Sequence, residues 1–196
     1  VAFSGPVTIL VCRGNEDAFG IAEELKNAAV EGRGSTASAE AVEIRDAEEA
    51  LEGANTAPCE GFPVFLLYLN DKRPFLTPAA LSRASCKEAA MDQGITIAMV
   101  HEQEPSCGGV PFGRFFQQTP QVLQRPPYKL FDTVAVALYP APEHREISLR
   151  LILKSMGAVP CDAGPLRRQW QLLRRHMAVA RLVRRRPAER QQLEQP

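Results

Sequence analysis

Apolar residues along this chain come either in short solid runs or in spaced stripes, and the two alternate. Val7–Cys12 (VTILVC), Phe62–Leu69 (FPVFLLYL), Ile95–Val100 (ITIAMV) and Thr133–Leu138 (TVAVAL) are solid runs rich in β-branched or aromatic residues. Runs of this length with no polar face predict strands buried on both sides. Ala41–Ile44 is a weaker strand candidate. Between the runs the spacing changes. Phe19, Ala22, Leu25 and Ala29 recur at helical intervals behind Asn15, which can cap a helix with Glu16 and Asp17 in its first turn. Ala47–Leu51 predicts a short helix, and Pro78 to Gln93 a longer one closed by Gly94. Phe115–Leu123 predicts two helical turns, the second opened by Thr119 and Pro120, and Pro142 to Met156 a last helix stopped by Gly157. Gly32–Ser38 and Glu102–Gly113 read as loops.

Strands alternating with amphipathic helices imply a parallel sheet covered on both faces, because parallel neighbours need crossover connections. The expected fold class is α/β, a flavodoxin-like doubly wound five-stranded parallel sheet with strand order 2-1-3-4-5, followed by a basic C-terminal helix. Residues 1–157 would form the α/β domain, 158–165 a linker, and 166–196 the basic amphipathic helix and tail.

Composition narrows this picture slightly. Hydrophobic residues make up 45% and charged residues 23% of 196, which excludes wholesale disorder and a collagen-like repeat. No run approaches the length of a membrane-spanning helix. The chain opens at Val1 with neither an initiator Met nor a basic region before an apolar stretch, so a fragment or processed chain without a signal peptide is expected. Five cysteines without a C-x-x-C pair, and three histidines with none close to a cysteine, fit a reducing compartment. They predict a cytoplasmic protein with no metal site. Charge matters more once it is divided. Basic and acidic residues balance at 23 each, yet nine Arg and only two Glu follow Leu166, so a tail of +7 is attached to a body of −7.

In an open parallel sheet of this order, ligands bind beyond the carboxyl ends of the first and third strands. Arg13, Gly14, Asn15 and Asp17 would stand there after the first strand, Asn70, Asp71 and Lys72 after the third, and His101 and Glu102 at the end of the fourth. One Arg beside a helix N-terminus could face a phosphate or a ribose; ordinary solvated loop and capping residues would give the same pattern. Other chemistries are excluded by their missing motifs: G-x-x-x-x-G-K-[ST] for a P-loop, G-x-G-x-x-G for a Rossmann dinucleotide site, and G-x-S-x-G for a nucleophile elbow. A phospho-acceptor receiver would need acidic residues where Cys12 and Arg13 stand.

The apolar strand, then Arg13-Gly14-Asn15-Glu16-Asp17, then Ala22-Glu23-Glu24-Leu25-Lys26, resembles the opening of the Toll/interleukin-1 receptor (TIR) domain family. The order continues through Val64–Leu69, a loop with Phe75 and Leu76, the helix over Pro78–Gln93 and the strands Ile95–Val100 and Thr133–Leu138, so the resemblance spans about residues 5–157. It implies an intracellular, innate-immune type of signalling domain that self-associates or recruits other TIR-like domains. It also implies a second activity, hydrolysis of NAD⁺ as substrate at the nicotinamide–ribose bond by a third-helix glutamate. A carboxylate there would stabilise an oxocarbenium-like state. In this chain that residue would be Glu88, with Arg13, Gly14, Asn15, Asp17, Asn70 and Asp71 on the nucleotide. A solvated helix residue beside Lys87 is the alternative reading of Glu88. The family's Phe-Trp pair near the last helix is absent, the only tryptophan being Trp170.

In the tail, Leu166, Trp170, Leu173, Met177 and Ala180 form a narrow apolar seam among arginines. Such a helix over 166–186 could meet an anionic membrane surface, a helical partner, or the acidic body itself. The lack of stacking aromatics beyond Trp170 argues against nucleic acid.

Overall fold

The computed structural model describes residues 1–31, 42–52, 61–72 and 89–159. Most of the helix expected over Pro78–Gln93, with Glu88, lies outside them. So do the Gly32–Ser38 loop and the basic helix and tail of 166–196.

Five strands form one all-parallel sheet: β1 (Val7–Val11), β2 (Val42–Asp46), β3 (Phe62–Leu69), β4 (Thr96–Glu102) and β5 (Val136–Leu138). Their order is β2-β1-β3-β4-β5, with Val7 opposite both Val42 and Phe62, Val64 opposite Thr96, and Val100 opposite Val136. This is the α/β class and the strand order expected from the alternation. The helices are α1 (Ala18–Glu31), α2 (Ala47–Glu52), α3 (Gly113–Gln118), α4 (Gln121–Gln124) and α5 (Pro142–Ser155). Residues 89–92 are also helical.

Side chains on a strand alternate between faces, and the solid apolar runs therefore feed two cores. Ile9, Val11, Val64, Leu66, Tyr68 and Val100 pack under α1 and α5, with Leu25, Ile152, Leu153 and Met156. Leu10, Phe65, Leu67, Leu69 and Met99 pack on the other face with Ala47, Phe115, Leu123 and Leu130. Each fully buried Leu or Phe contributes about 1.5–3 kcal/mol of transfer free energy. The α1–α5 layer is also tied by Arg145, whose Nε and Nη2 donate to Glu24 at 2.8 and 2.9 Å.

Three local expectations change. The first helix begins at Ala18, not just after Asn15, because Asp17 takes a left-handed φ of 64° that a helical first turn cannot contain. The last strand keeps only three residues of the apolar run. Thr133–Ala135 stay outside the strand, following a 3-10 turn at Leu130–Asp132, and pairing begins at Val136. Ala158 and Val159, assigned to the linker, are buried, and Val159 exchanges two 2.8 Å backbone hydrogen bonds with Ala2. Gly94 (φ 67°) and Gly157 (φ 96°) stand in left-handed backbone where the sequence placed the helix stops. Among the described residues, no helix is long and apolar enough to cross a membrane.

Candidate functional site

The carboxyl ends of the neighbouring strands β1 and β3 bring Arg13, Gly14, Asn15, Asp17, Asn70 and Asp71 to one end of the sheet, a polar edge. Gly14 lies in the turn closed by Asn15 N–H donating to the Cys12 carbonyl at 2.9 Å. Asn70 is buried; its amide donates to the Glu16 carbonyl at 2.9 Å and its oxygen accepts from Lys72 N–H at 3.3 Å, so β3 holds the β1–α1 loop in place. Lys72 Nζ stands 2.7 Å from Asp17 Oδ2. That hydrogen bond raises the ammonium's pKa.

The remaining charges of the edge are also engaged with each other. Arg13 Nε lies 2.7 Å from Asp46 Oδ2, and a second guanidinium nitrogen contacts Glu49. The charge of Asp46, then the contact with Glu49, raise its pKa. Asp46 is at the same time the cap of α2, its Oδ1 accepting from the N–H groups of Glu48 and Glu49 at 2.8 and 3.1 Å. Asp71 accepts from Gln118 Nε2 at 2.9 Å, pairs with Arg114 Nε at 3.1 Å, and donates its own N–H to the Gly108 carbonyl at 2.8 Å. That approach requires a glycine. Gly108 has φ 88°, and a Cβ there would sit 3.0 Å from Asp71 N.

One side chain is left over. Asn15 is 3% exposed, its carbonyl accepts Ala18 N–H at 3.1 Å, and its Nδ2 is buried without a hydrogen-bond acceptor. A buried donor in that state costs about 1–3 kcal/mol.

No family model matches the chain, and no curated protein or solved structure matches it. Among the described residues, no group of three or more His, Cys, Asp or Glu is arranged to hold a metal.

Behind the edge lies a pair that sequence reading did not bring together. Glu102, 1% exposed, accepts from the Tyr68 hydroxyl and from the N–H groups of Gln103 and Glu104 at 2.9 and 2.8 Å. Burial first, and the hydrogen bond to Glu102 second, push the Tyr68 pKa far above its ordinary value. With its oxygens already accepting from three donors, this carboxylate serves the fold. Its sequence signal was Glu at the end of an apolar strand, one residue after His101. The imidazole Nε2–H donates to the Val110 carbonyl at 2.8 Å, which leaves Nδ1 to accept from the Gln103 amide at 2.9 Å. The ring also packs edge-on to Phe112 and Phe115, with centroids 5.4 and 5.6 Å away. His101 thus anchors the segment between β4 and β5 and is turned from the nucleotide-facing role its position suggested.

An anion entering this edge would meet cations already paired with carboxylates. Arg13 would have to leave Asp46 and Glu49, and Lys72 would have to leave Asp17. The arrangement holds its loops firmly, and among the described residues the Asn15 amide is a buried donor without an acceptor.

Proposed function

We propose that this chain is a TIR-like signalling domain that acts by self-association or by homotypic contact with related domains. The observation that carries the reading is the contrast between its polar edge and its apolar surface. Arg13, Asp17, Asp46, Asp71, Lys72 and Arg114 are occupied with each other. Phe19, Phe116, Val122, Val134, Tyr139, Ile147 and Leu151, in contrast, remain exposed. Large apolar side chains left in water in such numbers suit contact with another protein. The strand order supports the resemblance in fold and leaves the activity to experiment. Homotypic capture tests the proposal: an immobilised copy of the full chain should retain a differently tagged copy, and no retention would overturn it.

The Asn15 amide favours a second reading, cleavage of NAD⁺ with Glu88 as the carboxylate and Arg13 and Asn15 on the nucleotide. A ligand oxygen would supply the acceptor that Nδ2 lacks. Nicotinamide release by the concentrated chain, abolished in Glu88→Ala and weakened about tenfold or more in Asn15→Ala, is the result expected of an enzyme. No release by the wild-type chain removes this reading.

A further inference from the structure

We infer that the outer face of α5 is a docking surface for a second copy of this chain, the two helices lying antiparallel about a two-fold axis near Leu149. This rests on the self-association reading and specifies which surface performs it.

The helix is apolar on two sides. Ser148, Ile152, Leu153 and Met156 are buried against the sheet. On the opposite side Ile147 and Leu151, one turn apart, are 54% and 46% exposed. Tyr139, also exposed, lies edge-on to His144 at a centroid distance of 6.0 Å and extends the strip towards the start of the helix. A helix needing only one face to cover a sheet has no use for isoleucine and leucine on the other. The face is also held rigidly, since Arg145 turns away to grip Glu24.

The charges on α5 select the occupant and its direction. Glu143 and Glu146 stand in the first half and Arg150 and Lys154 in the second. Within one helix Arg150 already reaches back to Glu146 at 2.5 Å. A parallel neighbour would set like charges side by side. An antiparallel copy sets Ile147 against the partner's Leu151, and Glu143 beside the partner's Lys154, twice over by symmetry. An isologous contact of this kind needs a self-complementary patch, and the sequence of α5 is one. A 14-residue helix is about 21 Å long, and a single helix pair falls below the ~1,200 Å² of stable complexes. The pairing is therefore a concentration-dependent dimer.

The test is size-exclusion chromatography with light scattering on the full chain at several loading concentrations. The wild-type chain should move from monomer to dimer. Ile147→Asp and Leu151→Asp should each weaken the association about tenfold or more, as expected where a buried apolar anchor is lost. Glu143→Lys and Lys154→Glu should each weaken it, and the double variant carrying both should recover it, which a merely misfolded protein cannot do. Unchanged dimerisation in all four single variants would overturn the α5 surface and leave self-association standing through another face. A wild-type chain that stays monomeric would overturn both.

Discussion

Tyr68 and Glu102 carry the clearest consequence at the scale of a single residue. The hydroxyl donates to a carboxylate that is 1% exposed, and the tyrosine's pKa is raised by burial and by that bond. A group whose pKa is higher in the folded state stabilises the fold below its unfolded value, about 10 for tyrosine, and loses that contribution as pH rises beyond it. The wild-type chain should therefore lose thermal stability as pH climbs above about 10. Tyr68→Phe should cost about 1–3 kcal/mol at neutral pH, because Glu102 loses a donor. It should also flatten the alkaline loss, and melting curves at neutral and alkaline pH check both. Neither partner announces the other in the sequence. Residues at the ends of two different apolar runs are paired only by the β3–β4 register, which sets Leu69 opposite His101. The cluster of Arg13, Asn15, Asp17, Asn70 and Asp71 was legible, because strand order alone fixes which strand ends are neighbours. That most of these side chains would be consumed by Asp46, Glu49, Lys72 and Arg114 was not, since ion pairs depend on rotamers and on loops far away in sequence.

Among the elements, α2 shows how one residue can join two of them. Asp46 ends β2, caps α2 through two backbone N–H groups, and pairs with Arg13 on the far side of the β1 turn. Asp46→Ala should lower stability by about 1 kcal/mol, whereas Asp46→Ser, which can still cap, should keep most of it. Chemical denaturation of the three proteins decides the point. The elements themselves were the most legible level. β3 is the run Phe62–Leu69 without change, because eight apolar residues entered by a proline leave little choice. The end of α5 follows from Gly157 in left-handed backbone. The start of α1 was misplaced, since a left-handed Asp17 answers to the loop's tie to Asn70 and Lys72, which local propensity does not record. The last strand was overextended because an apolar run does not by itself mark pairing: Val134 of this one is exposed, and the ladder begins only at Val136.

At the scale of the whole molecule, the proposed self-association turns on the outer face of α5, where Ile147 and Leu151 are exposed. The body's negative and the tail's positive charge add a second expectation. If residues 166–186 seek an anionic surface, removal of 166–196 should abolish sedimentation with anionic vesicles and spare homotypic association through the described domain. Salt should separate the two contacts further. Charge pairs at the rim of the α5 contact are screened beyond a Debye length of about 8–10 Å, while the apolar centre is not. The most direct measurement is sedimentation velocity of the full chain from low micromolar to the highest attainable concentration. Self-association requires a weight-average sedimentation coefficient that rises with concentration towards that of a dimer. A coefficient that stays at the monomer value throughout would contradict it.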